Sequence, residues 1–589
     1  MVCLVLLGAT TSASEVELPV PLDQLHAPTF LYPCPSNGGV LLTEPDGQTV
    51  RFLYRPYPEE GKIDAGSHYE GGGPGVFEDI SHDGGRTWTL RQPVFETDFH
   101  SNGDVAYPHP ETGELYWTHK VGKHDTYLIR SSDGRTKWSD RVKLPFKLRY
   151  DTGSFIWLEK KAEQNGTRRM VLATHDGKGV VTWTSDDEGN SWQGPSNRCI
   201  APVVGKGRWG DPGNAGHIVE MKDGRLWMLT RNCQDHLWEY FSDDRGESWG
   251  EGQPSRFVGV FSCFRFYRIP DGRLMLVWLN NIPRTTGNKR DNNHNTARDV
   301  LHAAISDDEG ETWRGFREIA LGRRRHELVF HPAYVYDCGI HHPKLTVTSE
   351  GKAIVFTGQD FEDAEHDNLH RQAVIFDLDW LYESSHSTDF SKGYDDLSVF
   401  KMSKRPWGKT NYYSRTLGAT LIEHPTTPFK KVLHLGRETC DWVWNEQDGA
   451  NWNFPTGKTG ILKTRILLRD GFKGGSISLT DTFYPPADNA GEKAAMFTLE
   501  IPDDGRIDEN MTLAPDRWFE LELEWTGTEN ASTHSCTVRI NGHQLSKSLP
   551  LKNPSPNGVS YVRLRSTAPD EDLAGWLVES LRATVGPRP

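Results

Sequence analysis

The sequence predicts an all-β chain: a β-propeller of six blades, with seven as the alternative, followed by a β-sandwich of the jelly-roll kind. Three observations carry this. The phrase Ser-x-Asp-x-Gly-x-Thr/Ser-Trp occurs at Ser81–Trp88, Ser185–Trp192, Ser242–Trp249 and Ser306–Trp313, and a variant, Ser131–Trp138, has its glycine one position early at Gly134. The closing tryptophans, Trp88, Trp138, Trp192, Trp249 and Trp313, stand 50, 54, 57 and 64 residues apart. That period suits four-stranded blades of roughly 40–50 residues plus loop insertions. Beyond about Cys440 the phrase is gone and short alternating strands replace it.

At the N-terminus, a short apolar run from Met1 is followed by small residues up to Ala13. Residues 1–16 read as a signal-like segment, with a buried strand as the alternative, and they predict secretion to an extracellular or periplasmic space. The segment lacks a basic start. Sequons at Asn165, Asn510 and Asn530 agree with secretion. Residues 17–437 read as the propeller. In each phrase the Ser and Asp side chains bond nearby backbone N–H groups to make a tight turn. The Gly supplies a positive φ, and the Trp packs a large apolar surface on the next unit. Runs such as Val50–Tyr54, Leu226–Leu229 and Arg273–Trp278 supply strands between Asp-Gly turns. A sixth unit without the phrase runs from His342 through Ala353–Phe356 to Trp380. The polar stretch Gly287–Arg298 reads as a long loop over one face. Residues 438–589 read as the sandwich, from strands such as Gly460–Leu468, Trp518–Trp525, Cys536–Ile540 and Val559–Arg565. A glycan-binding module and a purely structural one are its two readings.

A chain of 589 residues exceeds one ordinary domain. The net charge of −15 argues against nucleic acid as a partner, and no apolar run approaches the ~20 residues of a membrane span. The cysteines are scattered, at Cys3, Cys34, Cys199, Cys233, Cys263, Cys338, Cys440 and Cys536, with no C-x-x-C pair. A cysteine zinc site is therefore not expected, and one or two disulfides stay unassigned. His366 and His370 are four apart in a stretch read as a loop, so no metal or other cofactor is expected.

The phrase is the Asp box, and over roughly residues 20–390 the chain resembles the sialidase superfamily of Asp-box, or BNR-repeat, propellers. The C-terminal part resembles the concanavalin-like jelly rolls attached to secreted carbohydrate-active proteins. The resemblance implies a site at the propeller axis, on the face opposite the Asp boxes. It also implies three arginines on the substrate carboxylate, a Tyr–Glu nucleophile and an Asp acid/base. The matched positions depart from that set. Leu31 in Phe30-Leu-Tyr-Pro33 stands where the family has its first arginine. Ala215 in Asn214–Met221 stands where it has the Glu, and His342 in His342–Leu345 where it has the Tyr. Tyr267-Arg-Ile-Pro270 falls in the wrong blade and reads as an ordinary strand and turn. A clamp without its first arginine loses a bidentate contact, and a phenol without its carboxylate is not activated.

Histidines are the main candidates for chemistry. His341 and His342 stand at the family's nucleophile position, and His217 stands beside that of its Glu. Imidazoles serve as acid or base near neutral pH, and His100 and His331 are weaker candidates. Asp64 falls roughly where the family has its acid/base, and Asp211 in Arg208–Gly213 falls on an inner loop. Glu327 and Asp337 are further carboxylates for a two-carboxylate hydrolysis. Arg55, Arg231, Arg298 and Arg371 match inner-strand positions and, with Asn214, form the expected substrate-binding set. Arg323–His326 reads as a solvated charge cluster. The expected function is a secreted glycoside hydrolase acting on a terminal sugar other than ordinary sialic acid. The alternatives are a polysaccharide lyase using a His or Tyr base on a uronate, and a non-catalytic glycan-binding protein. The expected partner is a glycan or polysaccharide, and the oligomeric state stays open.

Overall fold

The computed structural model describes residues 14–35, 39–54, 76–95, 100–121, 125–133, 137–147, 154–161, 166–202, 213–232, 236–260, 262–282, 298, 300–322, 325–326, 340, 342–358, 371–407, 412–441, 443 and 445–586. Among the described residues the regular elements are strands, apart from a 3-10 turn, Leu378–Tyr382, and one short α-helix, Ala490–Ala494. No helix among them is long and apolar enough to cross a membrane.

The first two-thirds of the chain lays down antiparallel sheets one after another. The first sheet holds Val40–Thr43, Val50–Tyr54, Val76–Ser81 and Thr87–Phe95 in order, with Glu15–Glu17 added at its outer edge. The second holds His100–Pro108, Leu115–Val121, Asp125–Ser131 and Val142–Lys143. The third holds Phe155–Lys161, Arg168–His175 and Val180–Ser185, extended by bridges from Val180 to Cys199 and Thr184 to Gln193. The fourth runs Asn214–Glu220, Leu226–Arg231, His236–Ser242, Gln253–Val258, and the fifth Arg265–Arg268, Leu274–Trp278, Val300–Ser306, Arg314–Leu321. In the sixth, Lys344–Val347, Lys352–Thr357 and Gln372–Asp377 are completed by the N-terminal strand Thr29–Tyr32.

The middle strands show why these sheets stack face to face. Leu274–Trp278 is buried at every position, yet its alternate side chains enter different cores. Leu274, Leu276 and Trp278 pack with Trp227 and Phe266 between the fourth and fifth sheets. Met275 and Val277 pack with Val355 and Phe376 between the fifth and sixth. A strand buried on both faces reads as a continuous apolar run, which Leu-Met-Leu-Val-Trp is.

The repeated phrase forms the turn between third and fourth strands. At Ser306–Trp313, Gly310 N donates to Ser306 Oγ at 2.9 Å, and Thr312 N donates to Asp308 Oδ1 at 2.8 Å. The Trp313 indole closes on Gly310 O at 3.0 Å. Glu309 and Gly310 both have positive φ, 58° and 89°. A Cβ on Gly310 would lie 2.5 Å from the Trp227 ring of the preceding sheet. Gly189 meets Leu128 of the second sheet, Gly246 meets Val171 of the third, and Gly85 of the first sheet meets Ile354 of the sixth. Each box glycine thus seats its turn on the sheet before it, and that relation closes from the first sheet back to the sixth. The variant copy keeps Ser131 Oγ to Asp133 at 3.0 Å and the bridge from Ser131 to Trp138. Its Gly134 lies outside the described residues. The arrangement is consistent with a propeller.

The last third forms two sheets around one apolar core. One sheet has the order Thr420–Glu423, Lys431–Arg437, Asp572–Val585, Gly460–Leu468, Trp518–Trp525, Ser535–Ile540, His543–Gln544. The other has Leu397–Ser398, Gly449–Gly457, Val559–Ser566, Gly475–Thr480, Phe497–Ile501. Trp452, Phe454, Leu462, Ile477, Leu523, Trp525 and Trp576 fill the space between them, consistent with a sandwich. Sheet pairing begins well before the expected boundary at 437/438. Ser385–Thr388 and Lys431–Arg437 pair with Asp572–Val585, and Leu397–Ser398 pairs with Gly449–Gly457.

The polar face of the second sheet is buried. Asn453 Nδ2 donates to Phe316 O at 3.0 Å, and Asn280 Nδ2 donates to Asp481 O at 2.7 Å. Tyr561 donates to Glu318 at 2.7 Å and accepts from His302, whose other ring nitrogen accepts Asn280 N–H at 3.2 Å. Burial pushes the Glu318 carboxyl up to about 7 and His302 down to about 3. Arg325 and His326 of the Arg323–His326 stretch also belong here, which corrects the reading of these two as a solvated face; Arg323 and Arg324 lie outside the described residues. Arg325 is buried and donates to the carbonyls of Leu397, Tyr394 and Gly322, and His326 Nε2 accepts Val399 N–H at 3.1 Å. Guanidinium donors matched to orphan carbonyls explain its burial.

Candidate functional site

The box turns join third to fourth strands, so the starts of first and third strands and the ends of second strands lie at the opposite end of each sheet. Arg231 ends a second strand. Arg265 starts a first strand, with Cys263 two residues ahead. Arg298 stands two residues before one third strand and Arg371 one residue before another, and His342 precedes the first strand of the sixth sheet. The described ones among the predicted groups thus share one end, reached from several sheets.

Side-chain contacts tie them together. Arg231 Nη1 donates to Cys263 Sγ at 3.1 Å. The same sulfur lies 3.5 Å from His342 Nδ1 and 3.7 Å from Nε2. His342 has φ 56°, a left-handed backbone that turns its ring inward from a loop. Arg298 O accepts Ile340 N–H at 2.7 Å, which sets Arg298 beside the same loop. On the fourth sheet His217 is 2 % exposed. Its Nε2 accepts from Arg265 Nη1 at 3.3 Å, and its ring packs on Phe264 at 4.8 Å. Accepting from a guanidinium favours the neutral imidazole with its proton on Nδ1.

Local backbone explains how His217 reaches this place. Asn214 pairs with Arg231 and His217 with Leu229, so the register shifts between them. Ala215 takes φ 51° inside that bulge and is buried. Bulges of this kind re-aim side chains. A Cβ on Gly216 would meet Met228 and Val180 at 2.8 Å, so only glycine lets the third and fourth sheets approach here. Deeper along the axis, Tyr267 donates to Leu345 O. Burial raises the Tyr267 and Tyr107 hydroxyls, and the Arg265 charge opposes this at both. Tyr107 belongs to the second sheet and Arg265 to the fifth, so these groups influence one another across the middle of the molecule.

Of the other expected residues, Arg371 is 1 % exposed and donates to Pro35 O at 2.8 Å, beside the sixth sheet's closing strand. Asn214 is placed by its strand, and its side chain lies outside the described residues. His341, Asp64, Asp211, Arg55, Glu327, Asp337, His331, His366 and His370 also lie outside them, as do Met1–Ala13 and most of Gly287–Arg298. Leu31, at the matched arginine position, is a core residue packed with Phe52, Ile354 and Phe356. Tyr267-Arg-Ile-Pro270 is a strand end and turn, as expected. Among the described cysteines, Cys199, Cys263, Cys440 and Cys536 are free thiols. Residue-by-residue reading missed Cys263 and Arg265. The available signal was position: Ser262-Cys-Phe-Arg265 leads into a first strand, where residues turn toward the axis.

A family model described as a BNR repeat-like domain matches residues 76–355. No curated protein matches the chain. Among solved structures, a protein of unknown function from Dyadobacter fermentans is 16% identical, with 62% of this chain and 98% of that chain covered and a TM-score of 0.38. Trypanosoma rangeli sialidase, solved with sialic acid, is 12% identical, with 97% and 95% covered and a TM-score of 0.35. The NanB sialidase of Streptococcus pneumoniae is 11% identical, with 62% and 72% covered and a TM-score of 0.39.

Proposed function

We propose, from the match of residues 76–355 to a BNR repeat-like domain model and the Asp boxes that resemble those of the sialidase superfamily, that this chain is a secreted carbohydrate-active enzyme: an exo-acting glycoside hydrolase on a terminal sugar other than ordinary sialic acid. It works on a six-bladed propeller that ends near residue 383, followed by a sandwich. The observation that carries the reading is the meeting of Arg231, Cys263 and His342, from three different segments, at the end opposite the box turns. Guanidiniums at Arg231, Arg265 and Arg298 suit a polyhydroxylated or acidic sugar. His342 serves as the proton carrier, with a carboxylate from Asp64 or Asp211 as its partner. Leu31 within an apolar core and Ala215 within a buried bulge support a substrate other than the one a sialidase clamp holds.

A second reading, a polysaccharide lyase, is favoured by the His217–Arg265 contact at 3.3 Å. A neutral imidazole beside a guanidinium suits proton abstraction next to a uronate carboxylate that the cation neutralises. One screen separates the readings. Neutral, sialylated and uronate-containing glycans are incubated with the protein while product ends and ultraviolet absorbance are followed. New reducing ends without absorbance support hydrolysis, and absorbance from an unsaturated uronate supports the lyase. Neither signal with any glycan leaves a glycan-binding protein. Release of sialic acid at an ordinary enzymatic rate would overturn the reading of Leu31, Ala215 and His342.

A further inference from the structure

Cys263 differs from the other buried thiols. Cys199 sits among Leu158, Val180 and Ile218, and Cys536 sits in the sandwich core beside Trp525 and Val538. Burial pushes both of those thiols up, as expected for inert structural cysteines. Cys263 is equally hidden, at 3 % exposed, yet its sulfur has a guanidinium at 3.1 Å and an imidazole at 3.5 Å. A thiol with a base in reach and a cation beside it is the arrangement of a covalent nucleophile.

The placement of the base selects the electrophile. Retaining displacement at a sugar carbon needs an acid on the far side of the scissile bond, ≈ 5–5.5 Å from the nucleophile. His342 instead lies on the nucleophile's own side. That suits acyl transfer, in which one imidazole takes the nucleophile's proton and returns it to the leaving oxygen. We propose that Cys263 is a nucleophile for acyl groups, with His342 as its base, and that the site removes ester substituents from sugars. His342 takes the thiol proton, and Sγ adds to the ester carbonyl carbon, sending the π pair onto oxygen beside Arg231, a cationic donor for that oxyanion. Collapse breaks the carbon–oxygen bond, and the departing alcohol takes the proton from His342. Water, losing its proton to His342, then adds to the thioester. The carboxylic acid leaves, and the sulfur regains its proton.

The activity goes beyond the glycosidase reading and is tested without any glycan. The full chain is mixed with p-nitrophenyl acetate. Nitrophenolate release is followed, and acetylated peptides are identified by mass spectrometry, with half-buried Cys440 as the internal reference. The expected result is a release burst with acetyl on Cys263, forming about 100-fold faster than on Cys440. Cys263→Ser abolishes the burst. His342→Asn, chosen because asparagine tolerates the positive φ, slows it by about 100-fold with the melting temperature kept. Acetyl absent from Cys263, labelling no faster than at Cys440, or a rate indifferent to His342→Asn would overturn the proposal. Acylation of Cys263 without turnover of any glycan sinks only the glycosidase reading. Glycan turnover with no acylation sinks only this one.

Discussion

The two ends of the box-bearing sheets are built differently. At the box end the Ser, Asp and Gly of each turn bond within the same eight residues: Ser81, Asp83, Gly85, Thr87 and Trp88 bond one another, and Ser306 to Trp313 repeat the pattern, although the Trp249 indole reaches Thr182 instead. At the other end the contacts run between sheets: Arg231 to Cys263 to His342, and His217 to Arg265. A locally satisfied turn offers no free valence to a ligand, so repetition there serves seating and closure. The proposed chemistry lies at the end where each sheet contributes a different residue. The two ends should therefore respond oppositely to substitution, with stability lost at one and function at the other.

The largest effect is expected at the box end. Gly310→Val places a Cβ 2.5 Å from the Trp227 ring at φ 89°. It should cost about 3–5 kcal/mol in urea unfolding, from overpacking plus backbone strain. A loss below about 1 kcal/mol would remove the close approach as the reason for that glycine. Next comes the sandwich contact. Tyr561→Phe strands buried His302 and Glu318 and should cost about 2–3 kcal/mol. An unchanged denaturation midpoint would show that this polar face does not help hold the two parts together.

Asp79 tests the region between the first and sixth sheets. Burial raises its carboxyl to about 6, against the opposing Arg91 N–H and the hydroxyls of Tyr54 and Tyr32. A group raised in the folded state contributes its stability fully below the unfolded value of 3.8 and loses it as pH climbs through about 6. Asp79→Asn should therefore be the more stable protein above that pH, by about 1–3 kcal/mol, with the advantage gone near pH 4. Parallel stability–pH curves for the two proteins would contradict this. The smallest stability effect is expected at the site, where His342→Asn should shift unfolding by no more than about 0.5 kcal/mol.

The same contrast explains what could be read in advance. The box turns need only residues close in sequence, so they announced the sheets and their order, while the expectation of a site at the opposite end came from the family resemblance. The apolar run Leu274–Trp278 likewise announced a strand, and the structure adds that both its faces are buried. His342, His217, Arg231 and Arg298 were proposed from their match to the family's positions, and the structure places them at one end of the sheets. Cys263 was passed over as one scattered cysteine, because its partners lie 32 and 79 residues away. Arg325 was misread for a related reason: its carbonyl partners, Tyr394 and Leu397, lie 69 and 72 residues further along the chain, in a stretch assigned to the propeller. Long-range partners leave no periodic trace, and both errors fall where a side chain's fate depends on them.

His342 tests the central claim most directly. The His342→Asn protein is compared with the wild type for turnover of the best glycan found in the screen and for melting temperature. The account predicts that turnover is lost while melting stays within a few degrees of the wild type. Retained turnover, or a protein that no longer folds, would contradict the assignment of chemistry to the end opposite the boxes.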